Sequence, residues 1–314
     1  MYSWKEFKET VLPETALWSG NPVNGIDLTL GVSPKTGEGI SRTVGQDENT
    51  HGLITGVIGS GMSNFVHNLI MNTCCQYGPD DLELWLIDCK GVAFEAYLPG
   101  VASDIGLPHL SGISCSKSRD DRVCALRDLV ALAKQRNSEI HDLGCKDIRE
   151  YNAAIYTKAL GCSLMPRVLV VVNSADVVFS DKDKDAKEFL EYLLEIGSSV
   201  GIHLLLVFDN LAAVAMRDSI TDILNWCTLL LVMRDNPEIY NLIFGNTELE
   251  PIEEASGFIY AKGSEDSAPV LVKVPCINTS DIMDTMGLLC EEAYEQGYPS
   301  LNPEVYASDG GDVG

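Results

Sequence analysis

Apolar positions along this chain come in two rhythms. Before Thr50 the signal is mixed. Trp4, Phe7 and Val11 fall on one helical face, and Ile26, Leu28 and Leu30 alternate with polar residues as a half-buried strand would. Pro34 to Gly39 (P-K-T-G-E-G) is turn material, so Ile40 to Val44 is expected to return as the second strand of a hairpin. From His51 short apolar runs alternate with amphipathic stretches. The runs Leu53-Ile54-Thr55, Leu82 to Ile87, Val168 to Val172, Leu204 to Phe208 and Leu229 to Met233 read as strands buried on both faces. Ser63 to Gln76, Arg119 to Leu143 and Ala186 to Val200 read as helices between them. Alternation of this kind predicts an α/β domain with a mostly parallel sheet and helices on both faces. Gly257 to Ala261 and Val270 to Val274 are expected to form a terminal antiparallel pair, joined by the polar Gly263 to Ser267. Asp281 to Gln296 should be a closing helix. The expected organisation is a lead-in over 1–50, the main domain over 51–296 and a flexible tail over 297–314, where a D-G-G-D run follows Pro299 and Pro303.

The most informative local pattern follows the first apolar strand. Gly56 to Ser63 reads G-V-I-G-S-G-M-S. The phosphate-binding loop G-x-x-x-x-G-K-[ST] is met at Gly56, Gly61 and Ser63, with Met62 in the lysine position. Glycines there let backbone N–H groups face an anion at a helix N-terminus. The missing lysine is the point charge that reaches the β- and γ-phosphates, and a thioether cannot neutralise them. If a nucleotide binds, Gly56, Gly59, Ser60, Gly61, Met62, Ser63 and Asn64 form its site, with Ser63 the one hydroxyl left for magnesium. The same glycines read equally well as a tight strand-to-helix turn that holds nothing.

Charge narrows the choice of partner. Forty-six acidic residues against 22 basic ones give a formal net charge of -24. That argues against a broad phosphate-binding surface and fits a soluble protein with a protein partner. No apolar run approaches the roughly 18 residues of a membrane helix, and Met1 to Lys8 does not resemble a signal peptide. A cytoplasmic location is expected, with any membrane association made through a larger assembly. The ten cysteines, Cys162 among them, include no C-x-x-C, and the histidines do not cluster with them. They read as small core residues in a reducing compartment. His109 and His203 read as structural histidines, and Asp181 to Lys187 (D-K-D-K-D-A-K) as a solvated loop and helix start.

Several stretches, in order, resemble the motor domain of the FtsK/SpoIIIE family. His51 to Gly56 is similar to the family's strand into the P-loop, and Tyr77 to Lys90 (Y-G-P-D-D-L-E-L-W-L-I-D-C-K) to its second strand with an Asp-x-Lys-Gly ending. Leu107-Pro108-His109, Met165-Pro166-Arg167 and Gly201-Ile202-His203-Leu204 complete the series. The resemblance spans roughly Leu17 to Lys273. It implies a RecA-like P-loop fold, ATP and magnesium as the cofactors of the site, and work in a ring or tandem array of like domains. The cargo would be DNA, as in DNA translocases, or a secretion-substrate protein, as in type VII secretion ATPases. The winged-helix DNA-reading domain of many chromosome translocases is not expected after Val274.

The departures fall on catalytic positions. The family's Walker B strand ends in Asp-Glu; here it ends in Asn173-Ser174. Asp holds the magnesium shell and Glu activates the water. The next strand usually ends in a polar sensor, and here Asp209 stands there, where it would repel a γ-phosphate. Asp176 lies three residues past Asn173, too far along to serve as a displaced Walker B acid. The family often carries an arginine near Leu231 to Met233, and the neighbouring one here is Arg234. One lost charge-stabilising contact typically costs about 10²- to 10³-fold in rate. Such losses act as a unit and do not simply add. The expectation is a pseudo-ATPase that works by assembly, regulation or substrate binding. The alternatives are an ATP-dependent DNA translocase component and a true ATPase with unusual ligands.

Overall fold

The computed structural model describes residues 2–11, 17–45, 51–98, 100, 106–158, 164–179, 184–215, 220–245, 249, 252, 257–263, 266–298 and 303–307. Cys162, Asp181 to Asp183 of the Asp181 to Lys187 run, and the D-G-G-D run lie outside them. Eleven strands among the described residues form a single sheet. In chain order they are β1 (Ile26–Val32), β2 (Gly39–Val44), β3 (His51–Thr55), β4 (Leu82–Asp88), β5 (Leu110–Cys115), β6 (Arg167–Asn173), β7 (Ile202–Phe208), β8 (Cys227–Val232), β9 (Phe258–Lys262), β10 (Val270–Lys273) and β11 (Glu304–Val305). Their spatial order is β11-β5-β4-β6-β7-β3-β8-β9-β10-β1-β2. From β11 to β8 every pairing is parallel. From β8 onward every pairing is antiparallel.

The helices are α1 (Trp4–Val11), α2 (Met62–Gln76), α3 (Arg119–Asp142), α4 (Ile148–Lys158), α5 (Lys184–Ile196), α6 (Leu211–Ala215), α7 (Ile220–Trp226), α8 (Pro237–Phe244) and α9 (Thr279–Glu295). Central strands send alternate side chains to two cores, as a pleat with two-residue period requires. Ile54, Leu84 and Leu86 join α1, α2 and α9 on one face. Leu53, Trp85 and Ile87 join α3, α5 and α8 on the other. Both faces are covered, so these strands read as continuous apolar runs.

Three features differ from the sequence expectation. β5 was not legible, because L-S-G-I-S-C interleaves small and polar residues. It is a strand because Gly112 makes room for the Trp85 ring beside it; a Cβ there would come within 2.5 Å of that ring. The lead-in hairpin, although it precedes β3 in the chain, lies at the far antiparallel edge, where β1 pairs with β10. Within the expected tail, the described residues 303–307 include a short strand. Glu304 and Val305 pair with Gly112 and Ile113 of β5, and Tyr306 donates its hydroxyl to Asp128 at 3.0 Å while its ring lies 6.1 Å from that of Trp85. Strand addition satisfies an otherwise open edge.

Buried histidines tie the layers together. His51 donates through Nε2 to the Leu194 carbonyl (3.0 Å) and accepts the Leu204 N–H at Nδ1 (3.0 Å). Both ring nitrogens are used by the neutral form. His109 donates from Nε2 to the Tyr77 carbonyl at 2.7 Å. His203 meets the guanidinium of buried Arg167 at 2.8 Å, under Gly45, where the His203 ring leaves no room for a side chain. Burial holds the pKa of His51 and His109 down at about 4. The unfolded chain takes up these protons near pH 6.5, so stability is full above that and is lost as pH falls from 6.5 toward 4. At pH 5.5 each histidine should remove roughly 1.4 kcal/mol. Urea unfolding at pH 7.5 and 5.5 should show the loss, and His51→Gln should lessen it; a flat profile would contradict the assignment.

Candidate functional site

Parallel α/β sheets bind ligands at the carboxyl ends of their strands. Here β3, β4, β6, β7 and β8 bring the P-loop, the loop after Asp88, Asn173 to Asp176, Asp209 and Arg234 to Asn236 to one end.

The P-loop keeps its backbone form. Gly59 and Gly61 sit at φ +80° and +92°, where a side chain is strained. A Cβ on Gly56 would meet Ser60 Oγ at 2.6 Å and Met233 Cβ at 3.0 Å. The Val57 N–H donates to the Arg234 carbonyl, and the Ser60 N–H to Val57, both at 2.9 Å. Gly61 provides no side-chain cap to α2. The first-turn amides from Met62 to Asn64 are of the kind a helix leaves without internal partners. Ser63 is exposed there, and Ile58 stands out at the loop tip.

Two predicted site residues are used elsewhere. Met62 is buried with Phe65 and Val66 in the core beneath α2, so only its amide can serve the loop. Asn64 clamps the strap after β10. Its amide donates to the Pro275 carbonyl at 2.9 Å and accepts the Ile277 N–H at 2.8 Å. Its side chain is therefore structural.

The remaining catalytic positions are bound to one another. Asp88, fully buried, accepts N–H groups of Lys90 (3.1 Å), Val92 (2.5 Å) and Ala93 (2.6 Å) and the Asn173 amide (3.0 Å). Asn173 lies directly across from it in the β4–β6 register. Ser174 adopts a left-handed conformation, with φ 55° and ψ 47°, and donates to Asp209 at 2.7 Å. Asp209 also receives Lys90 Nζ. Its N–H reaches Asp176 Oδ1 at 3.2 Å, so Asp176 belongs to this cluster. Burial works against the Lys90 ammonium, yet the Asp209, Asp176 and Asp88 charges outweigh it and raise its pKa above the ordinary lysine value. Asp235, which accepts from Thr55 at 3.3 Å, has its pKa raised by burial. Val57, Ile58, Lys90, Asp176, Asp209 and Asp235 border a cleft of about 570 Å³.

Residues 26–221, more than half the chain, match the FtsK/SpoIIIE family. The chain belongs to that family. It is 28% identical over 200 residues to the DNA translocase FtsK of Treponema pallidum, covering 64% of this chain and 23% of that protein. The cytoplasmic domain of the Thermomonospora curvata type VII secretion ATPase EccC superposes with a TM-score of 0.72 at 20% identity, over 95% of this chain and 34% of that one. ATPases 2 and 3 of the same EccC, in complex with a signal sequence peptide, superpose at 0.71 and 17% identity, over 94% of this chain and 53% of theirs. The fold is thus a RecA-like ATPase fold. The chain spans less than a quarter of the matched translocase.

The P-loop amides of this FtsK/SpoIIIE domain fit a phosphate group, whereas the rest of the site does not fit magnesium–triphosphate. Asp88 already accepts four donors, Asn173 is neutral, and three carboxylates face the cleft with one lysine that is already paired. Among the described residues no group of three or more His, Cys, Asp or Glu is placed to hold a metal.

Placing an acid at position 173 should therefore harm the fold. Asn173→Asp removes the amide donor to Asp88 and puts a second carboxylate beside it. The expected loss is about 2–4 kcal/mol at pH 7. Urea unfolding reads it, and unchanged stability would show that the Asn173–Asp88 contact does not matter.

Proposed function

We propose that this domain is a non-hydrolysing unit of a translocation motor of the type VII secretion kind, working by assembly, regulation or substrate binding among tandem RecA-like domains. One observation carries the reading. The positions that would activate water and hold magnesium are satisfied by each other, through Ser174–Asp209–Lys90 and Asn173–Asp88. A general base has to be free to take a proton, and Ser174 is a poor base that already spends its hydroxyl on Asp209. The cargo follows from charge. A chain of net charge -24 is repelled by a polyanion, which favours a protein over DNA. The solved relative that holds a signal sequence peptide supports the same choice. The alternative, a DNA translocase component, draws on the 28% identity to FtsK. Within the described residues no helix is long and apolar enough to cross a membrane.

Turnover and salt dependence separate these readings. Purified domain with ATP and magnesium should hydrolyse at least about 10³-fold more slowly than an intact family ATPase domain under the same conditions. Comparable turnover would end the non-hydrolysing reading. Binding to a secretion-signal peptide should change little between 50 and 200 mM salt. Affinity for duplex DNA falling steeply over that range would favour the translocase alternative.

A further inference from the structure

The P-loop has lost its lysine, but a cation stands beside it. Arg234 follows β8 and its carbonyl already accepts the Val57 N–H of the loop. Its Nη2 lies 3.9 Å from the place a Cβ would take on Gly59. Its Nε is buried with no hydrogen-bond partner, and the side chain forms no ion pair among the described residues. That is unusual in so acidic a protein, with Asp235 next in sequence. The neighbouring Asp235 is held by Thr55, and Tyr240 donates its hydroxyl to the Met233 carbonyl. A guanidinium without an ion pair among the described residues, set against the glycine turn of a P-loop, is an arrangement that receives phosphate.

Resting on the P-loop reading of Gly56 to Ser63, we propose that Arg234 takes over the phosphate-binding role of the missing lysine, and that the loop binds a nucleoside diphosphate without magnesium. A diphosphate is favoured over a triphosphate by the next neighbours along the cleft. A third phosphate would add charge beside Asp176, Asp209 and Asp235, whose one nearby ammonium, Lys90, is already paired with Asp209. Arginine also suits the altered geometry. It enters from a strand end, whereas a lysine at position 62 would start from a residue whose side chain packs in the core.

Calorimetry on the full chain tests this, with ADP in EDTA as the first probe and ATP with magnesium as the second. ADP should bind in EDTA, inorganic pyrophosphate should compete, and magnesium–ATP should bind more weakly. Arg234→Gln should weaken ADP about 10- to 100-fold, as expected for losing a charged fork on phosphate. Arg234→Lys, which keeps the charge, should recover part of the affinity and covers the case in which the glutamine variant does not fold. Equal affinity in wild type and either correctly folded variant would overturn the role of Arg234, and tighter binding of magnesium–ATP would overturn the metal-free diphosphate preference. No ADP binding by the wild type would overturn the inference while leaving the non-hydrolysing reading intact. ATP turnover would do the reverse, sinking that reading while the affinities still judged Arg234.

Discussion

The ligand-facing end of this domain depends on one buried carboxylate. Asp88 closes β4 and turns the chain by accepting three backbone N–H groups from the residues that follow. A buried charge needs that many donors, since an unsatisfied one costs several kcal/mol. Its fourth donor is the Asn173 amide from the adjacent strand. The amide fixes the ends of β4 and β6 against each other. It also places an acid at position 173, if one were introduced, directly beside the Asp88 carboxylate.

The consequences spread outward. With Asn173 committed, Ser174 turns into the left-handed region and gives its hydroxyl to Asp209, and Asp209 in turn draws Lys90 across the cleft. Asn173, Ser174, Asp209 and Lys90 are thereby partnered with one another or with Asp88. The P-loop itself escaped this change because its shape rests on backbone geometry. Gly59 and Gly61 hold positive φ and Gly56 leaves room for Ser60, whatever occupies the lysine position. The domain thus keeps the P-loop backbone beside a cluster of side chains that are paired with one another.

The sheet's extension has a comparable logic. The parallel half, β11 to β8, presents its carboxyl ends to the cleft. The antiparallel half carries β9, β10 and the early hairpin away from it. The strap after β10 returns to α2, where Asn64 grips it through both ends of its amide. Residues from both chain ends therefore brace the P-loop helix: Trp4 of α1 donates its indole N–H to Thr285 of α9, and α9 packs on α2.

Much of this was legible in the sequence. Apolar runs such as Val168 to Val172 read as strands covered on both faces, and Gly59 and Gly61 announce the loop because few residues besides glycine tolerate their backbone conformation. The absence of lysine at 62 and of acids at 173 and 174 is also a fact of sequence alone. Tertiary structure decided what replaced them. β5 was hidden because its strand character comes from Gly112 meeting Trp85, a contact between different segments. Asn64 looked like a loop residue until the strap from 211 residues away claimed it. Asp209 looked like a bare repulsive charge until Lys90, 119 residues distant in the chain, neutralised it. Arg234 became a phosphate-facing candidate only when β8 was laid beside β3. Local pattern determines which segments form and what chemistry is missing; long-range packing decides which charges meet, because electrostatic partners are set by distance in space and not along the chain.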